Sequence, residues 1–596
     1  MTRERDDSPP GVSRRDLLGA GAGLAAASTA GCLQGLGSLL GPSVAGQLSL
    51  TVKTLPADAD AAGTRIAREL VTNLRAVGVD ARIELQPARE LQKDVLLGGN
   101  YDIYVGRFPN RDDPDFLRPL LHSVFEGEAG WQNPFGFTDI AVDDLLSGQR
   151  EAAGTERRRL VGDLQREIAS KQPFGILAFP NEIWAVRNDR FDGWSRSPLT
   201  EPVSYVALQS AGPDRQPRLR VTTTDAEPTR NLNPLAVQHR SRGIFTGLLY
   251  DPLARRVGGA ATPWLAADWS WHRERGDAVG TVRLRPDLTW HDGTALTADD
   301  VAFTYRFLND TLLGAGDTAV PAPRFRGRSS LVGSVTAEDD HTVTLRCPQT
   351  SPTVAVRALT VPVLPAHVWA DRAVEAGANW SERPGPVTEA LLTPNVTPVG
   401  SGVVRFEGRA EGESLVLTRF EDHFLHRGRT PEVPDVVADG VPFDRLSVRV
   451  APSDDAAIQL LSADETDGTA MRIGPDSVPR VGQDDALTLH VEDGRSFYHV
   501  GFNTRREPLG NPHVRRAVVR LLDKEYVAES VFDGFARPAT SALTGTDWVP
   551  TDLVWDGTDP TVPFVGEEGT LDESGARELF REAGLEYDDE GRVIDR

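Results

Sequence analysis

Cysteine and lysine are nearly missing from this 596-residue chain. There are two cysteines, Cys32 and Cys347, which excludes a disulfide framework and any cysteine-ligated zinc or iron–sulfur cluster. There are four lysines, Lys53, Lys93, Lys171 and Lys524, and every other basic side chain is arginine. Long apolar runs are missing too: after residue 31 no segment approaches the roughly 20 residues that cross a bilayer. Catalytic signatures are equally scarce. The 11 histidines are scattered, and there is no His-Glu-x-x-His, no Gly-x-Ser-x-Gly and no phosphate-cradling glycine loop. His423 and His426 share a metal-compatible spacing, but two ligands fall short of a site. The chain is therefore expected to be no enzyme and to carry no cofactor and no metal.

Positive charge is outweighed: Lys+Arg number 64 against 87 Asp+Glu, a formal net charge of −23. Such a surface repels phosphate backbones, so nucleic acid is excluded as a partner. Acidity combined with lysine scarcity predicts adaptation to concentrated salt, where screening removes the penalty of self-repulsion. What remains is ordinary globular composition, with 39% hydrophobic and 25% charged residues. The length predicts two to four lobes rather than one core.

The first residues read as an address label. A polar start leads to Ser13-Arg14-Arg15-Asp16-Leu17-Leu18 and an apolar Gly/Ala-rich run ending at Thr29-Ala30-Gly31-Cys32. Arg14 and Arg15 resemble the twin-arginine class of export signal, and the small-small-Cys junction resembles a lipobox. Residues 1–31 are thus expected to be removed, Cys32 to carry lipid, and 32–46 to act as a flexible tether. The mature chain is expected outside the cell, lipid-anchored to the outer face of the cytoplasmic membrane.

Along the mature chain, Leu48–Val52 alternates as a strand. Residues 64–77 put Ile66, Leu70, Leu74 and Val77 on one helical face, Gly78 stops the helix, and Val79–Leu85 alternates again. Strand, helix and strand at this spacing predict a parallel α/β unit. A helix is expected near 155–170, and residues 210–217 read as an internal linker. Residues 218–290 are strand-like and rich in aromatics. Thr297 and Asp300 form a capping box for a helix at 298–309. Strands are expected at 342–345 and 414–418, and helices from Asn511-Pro512 and at 573–583, the last stopped by Gly584. Asp113-Pro114 and His291-Asp292-Gly293 read as turns.

Several segments together resemble the extracellular solute-binding proteins, family 5, of ABC importers. They are Leu232-Asn233-Pro234, Gly247–Leu253, Pro263–Ala266 and, most densely, Trp290-His291-Asp292-Gly293-Thr294-Ala295-Leu296-Thr297-Ala298-Asp299-Asp300-Val301. Pro398–Gly402, Val500-Gly501-Phe502-Asn503-Thr504, Pro512–Ala517 and Gly534-Phe535-Ala536 continue the likeness. The resemblance implies an α/β, periplasmic-binding-protein-like fold of type II, of the large cluster with an extra subdomain, with two lobes about a cleft. It implies a monomer that binds a peptide or other small solute by hinge closure and meets ABC permease subunits. An oligosaccharide or a nickel complex is the alternative cargo. The acidic, lysine-poor composition gives the chain a haloarchaeal-like cast within this family.

The order of segments departs from the family. Its helix ending in Ala-Gly with an acidic loop normally precedes a strand opening the last third; here that helix is 573–584 and the chain stops at Arg596. The missing pattern stands at the front, in Tyr101-Asp102-Ile103, Asp113-Pro114-Asp115, Arg157-Arg158, Trp184–Val186 and Phe191–Trp194. This implies a circular permutation with ancestral ends fused through 210–217. Lobe 2 is then 47–175 plus 501–596, and lobe 1, with the extra subdomain, is 176–500, with crossings near 175 and 500.

In peptide-binding members the loop after the Tyr-Asp strand supplies an acid for the ligand's amino end. Here that loop runs through Arg107, Phe108, Asn110, Arg111 and Asp112. Asn110 matches the acid's position with Asp112 nearby, while Arg107 and Arg111 favour an anionic or carboxylate group. Trp131 and Asn133 are expected to line the cavity, and Asn503, Thr504 and Arg505 to face the cleft after the second crossing.

Overall fold

The alternating segments at the front of the chain fold as their periodicity demands. The computed structural model describes residues 46–108, 113–128, 130–194, 201–212, 216–240, 243–377, 387–428, 430 and 432–595. Residues 1–31 with Arg14 and Arg15, most of the 32–46 tether with Cys32, and Asn110, Arg111 and Asp112 lie outside them. Strand β1 (Ser49–Thr54) enters helix α1 (Ala61–Ala76), where Ile66, Leu70 and Leu74 are fully buried. The Asp60 carboxylate caps α1 by accepting from the Gly63 N–H at 2.9 Å. Gly78, at φ +95°, ends the unit, and β2 (Asp80–Leu85) returns parallel to β1. No other residue fits at 78, because a Cβ there would stand 2.3 Å from the Gly591 carbonyl oxygen.

Two large sheets organise the rest. The first has six strands in the order β2-β1-β3-β16-β4-β17, with β3 at Ile103–Phe108, β4 at Phe174–Pro180, β16 at Phe497–Phe502 and β17 at Ala536–Pro538. It draws strands from both ends of the chain. One face packs α1 with α5 (Pro512–Val519) and α6 (Glu573–Glu582). The other face packs α2 (Ile140–Glu151) and α3 (Gly154–Lys171). Every residue of β4 and β16 is buried, as a central strand covered on both faces requires.

The second sheet has seven strands in the order β11-β12-β13-β6-β14-β5-β15. These are β5 (Glu182–Arg187), β6 (Gln216–Thr223), β11 (Val404–Ala410), β12 (Ser414–Arg419), β13 (Phe443–Val450), β14 (Gly468–Thr469) and β15 (Leu487–Glu492). A four-stranded antiparallel sheet, β7 (Ala266–Glu274), β8 (Asp277–Leu284), β9 (Ser334–Ala337) and β10 (Thr342–Cys347), shares its core with helix α4 (Ala298–Asn309). α4 opens with the Thr297–Asp300 capping box. The aromatics expected over 218–290 fill this core: Tyr250, Trp264 and Trp290 are at most 1% exposed.

Two boundaries differ from the sequence expectation. The apolar runs of β4 and β16 stay in the six-stranded sheet to their ends, so the crossings fall at Asn181 and residues 493–496 rather than near 175 and 500. Strand β6 begins inside the 210–217 linker, at Gln216, because it pairs with β13 in parallel from Phe443↔Gln216 onward. The two ends of the described chain lie together: Leu48 N–H donates to the Val593 carbonyl and Asp595 N–H to that of Gly46, both at 2.8 Å.

Candidate functional site: a cleft at the two crossings

Among the described residues, two strand-to-strand passages join the six- and seven-stranded sheets, β4–Asn181–β5 and β15–493–496–β16. They touch. A Cβ on Gly494 would stand 1.7 Å from the Pro180 carbonyl oxygen. Asn181 N–H donates to the Phe535 carbonyl at 2.9 Å, and Arg537 meets Asp493 at 2.9 Å. Beside these crossings opens a cavity of about 1950 Å³, above the usual 300–1,000 Å³ of small-molecule sites. Its walls come from both sheets: the entry to α1 and the end of β3 on one side, Thr223–Pro228 and Ala470–Ser477 on the other.

At the crossings sits a charged hub. Glu182, the first residue of β5, has Arg472 Nε at 2.9 Å from one oxygen and the Arg107 guanidinium at 3.5 Å from the other. Arg107 Nε donates to Ser496 Oγ at 2.7 Å, and Arg472 reaches the same hydroxyl at 3.4 Å. The Arg107 guanidinium lies 5.7 Å from the Tyr498 ring centroid. Burial pushes the Glu182 carboxyl above the ordinary glutamate range, against the pull of Arg107. Glu492 is likewise raised by burial, against Arg495. Glu227 is raised by burial and by Asp225 beside it. On the other wall Asp60, besides capping α1, accepts from the Tyr498 hydroxyl at 2.8 Å. Met471 Sδ accepts from Thr224 N–H at 2.8 Å.

Of the residues singled out in the sequence, Arg107 and Trp131 line the cavity. Five do not. Phe108 is 2% exposed and stacks with Phe497 at 5.4 Å, because position 108 of β3 points to the α2–α3 face. Asn133 is fully buried and ties a tight turn by exchanging hydrogen bonds with Phe137 at 2.6 and 2.9 Å. Asn503 is 1% exposed and donates to the Gly99 and Tyr101 carbonyls at 2.9 Å. Thr504 bonds the Phe135 carbonyl, and Arg505 pairs with Glu126 at 2.6 Å, away from the cavity. With the crossing at 493–496 rather than near 500, the whole of β16 separates these three from it.

Glu182, Arg472, Ser496 and Tyr498 were missed. Their signal is a polar break between apolar runs: Asn181-Glu182 divides Phe174–Phe179 from Ile183–Val186, and Asp493–Ser496 precedes Phe497. Both ring nitrogens of His423 are engaged: Nε2 meets the buried Asp251 carboxylate at 2.8 Å and Nδ1 accepts from Leu425 N–H at 3.3 Å. Among the described residues no group of three or more His, Cys, Asp or Glu side chains is placed to hold a metal, and no helix is long and apolar enough to cross a membrane.

Two α/β bodies are joined by paired crossings, with a deep cleft beside them. Residues 260–594 match the family model of bacterial extracellular solute-binding proteins, family 5. The chain belongs to this family. A Brucella ovis protein with an ABC transporter peptide-binding name is 25% identical over 369 residues, 59% of this chain and 58% of that one. The di/tripeptide-binding protein 2 of Pseudomonas aeruginosa is 25% identical over 66% of this chain and 69% of its own length. The dipeptide-binding protein of Escherichia coli is 23% identical over 54% and 55%. The chain thus spans under two thirds of the Brucella relative's length. Among solved structures, the oligopeptide-binding protein AppA of Bacillus subtilis, in complex with a nonapeptide, aligns at 19% identity over 64% of this chain and 67% of its own, with a TM-score of 0.45.

Proposed function

We propose that this protein is the solute-capturing component of an ABC importer, closing its lobes on a peptide and delivering it unchanged to permease subunits. The cleft of about 1950 Å³ at two paired crossings carries the reading. Among its described lining residues are twelve carboxylates and eight arginines against six aromatic rings. That balance favours a guest with charged ends and a hydrogen-bonding backbone over a sugar, which stacks on aromatics. The names of the relatives point the same way. We assign Arg107, on the cavity wall, the role of meeting a ligand carboxylate. We further propose that the chain is a circular permutation of the family order, a salt-adapted monomer, exported through the Arg14-Arg15 signal and tethered by lipid on Cys32. The adjacency of Gly46 and Asp595 supports the permutation.

The test is thermal unfolding in high salt with peptide and glycan panels, with mass spectrometry of material co-purified from the native host. A peptide at about 100 times its Kd adds roughly 2.7 kcal/mol and raises the Tm. A rise with glycans and none with peptides overturns the cargo assignment.

A further inference from the structure

Apart from the crossings, the two bodies meet along a second seam, rich in ion pairs and hydrogen bonds. Asp115 is wholly buried. From its own body it accepts Gln149 Nε2 at 2.8 Å and two Arg150 nitrogens at 3.0 and 2.9 Å. From the other body it accepts Arg357, at 2.6 Å, 242 residues away in sequence. Arg357 Nε also lies 3.9 Å from Asp113, which Arg157 grips at 2.6 and 3.0 Å. Further bonds cross the same seam: Arg326 to Glu128 at 2.7 Å, Gln132 to the Pro323 carbonyl at 2.7 Å, and Ser351 N–H to the Arg150 carbonyl at 2.9 Å. The hydrophobic clusters stop on either side: Ala355, Ala358 and Leu359 belong to one core, Phe116, Leu117 and Leu146 to another. None of Asp113, Asp115, Arg150 or Arg357 lines the cavity.

A permanent interface of this burial would be apolar; a seam of ion pairs dissociates with little apolar surface newly wetted. When the bodies part, Asp115 and Arg357 return to water. When they meet, each is buried and needs the other, and loss of one partner leaves a charge stranded. Arg150 and Arg357 together hold the Asp115 carboxyl below its ordinary range in spite of burial.

We propose that Asp115 and Arg357 are positioning residues that set ligand affinity without touching the ligand, by latching the shut state. The inference rests on the solute-capture reading. A ligand that binds only the shut form has an apparent affinity proportional to the shut fraction, so weakening the latch weakens binding by the same factor.

The test is hydrogen–deuterium exchange and equilibrium binding on the full-length protein, wild type, Arg357→Met and Arg357→Lys, alone and with a pool of random-sequence tripeptides and hexapeptides. Arg357→Met is expected to lose protection at 113–117 and 351–357, keep it in β4 and β16, and bind the pool at least about tenfold more weakly. Arg357→Lys is expected to restore both. Unchanged affinity or unchanged seam protection in Arg357→Met overturns the latch, as does a lysine variant that rescues neither. Loss of protection in β4 and β16 along with the seam marks a folding defect, and the lysine variant then decides. If the wild type binds no peptide, the peptide reading fails while seam exchange in the unliganded variants still judges the latch.

Discussion

Glu182 separates two readings of a buried charge. Its carboxyl is held above its ordinary range, so at neutral pH the ionised form is less at home in the fold than in the unfolded chain. A neutral isostere should therefore be tolerated: Glu182→Gln is expected to stay within about 1 kcal/mol of wild type or to stabilise slightly. Arg472→Ala removes the closer cation and strands Glu182, and is expected to cost about 2 kcal/mol, below the 3–5 kcal/mol of a fully buried pair because both side chains keep some exposure. The sign with pH follows. Protonation of Glu182 is favoured by folding, so its contribution to stability improves as pH falls from its raised value toward the ordinary one. Urea midpoints at neutral pH and near the usual glutamate value, compared between wild type and Glu182→Gln, check this: the variant should lack Glu182's share of the difference.

At the scale of elements, the crossings are held by contact between backbones, with Gly494 against the Pro180 carbonyl. Gly494→Ala forces the passages apart and is expected to destabilise by about 1–3 kcal/mol, read as a lower urea midpoint. Elements of this kind were legible in the sequence where local chemistry decides them. The α1 face of Ile66, Leu70 and Leu74, the Thr297–Asp300 capping box and the Asn511 cap of α5, which accepts from His513 N–H at 2.9 Å, all follow from residues within a turn or two. The site was legible only in part. Arg107 and Trp131 stand at its wall, but the partners that make it are far apart in sequence: Glu182 with Arg472, and Asp60 with Tyr498. Periodicity carries no record of such pairs. Asn133, Asn503 and Thr504 were misplaced for a related reason, since buried amides and hydroxyls that satisfy turn carbonyls look the same on the page as ligand donors.

For the molecule as a whole, buried histidines set the acid limit. Burial holds His239 and His499 down to about 3, and His291 to about 4. An unfolded histidine takes its proton near 6.5. Stability from these sites is therefore full above that value and falls as the pH drops through it, by up to about 1.4 kcal/mol per pH unit for each site. Asp115, Asp251 and Asp559, held low by their cation partners, add losses only at more acidic pH, below the ordinary aspartate value. A His499→Gln variant whose urea midpoint keeps the full wild-type dependence on pH through the histidine range contradicts the assignment of that ring as neutral.

The proposed permutation makes a claim about connectivity that packing alone does not fix. The six-stranded sheet places β1 between β2 and β3 and sets β16 beside β3. The described ends are bonded by Leu48 to Val593 and by Asp595 to Gly46. Joining those ends with a short Gly/Ser linker and opening the chain within 211–217 gives the order that the proposed permutation assigns to the family, without moving a strand. Cuts and joins at exposed connections cost little when the new ends are neighbours, because the closure entropy of a short loop is small. The re-permuted protein is expected to unfold within a few degrees of the parent and to bind the same peptides with the same affinity, measured by calorimetric melting and titration in high salt. A re-permuted chain that fails to fold, while a control chain cut at the same place without the join behaves no worse, shows that β1 depends on its present order and sinks the permuted ancestry.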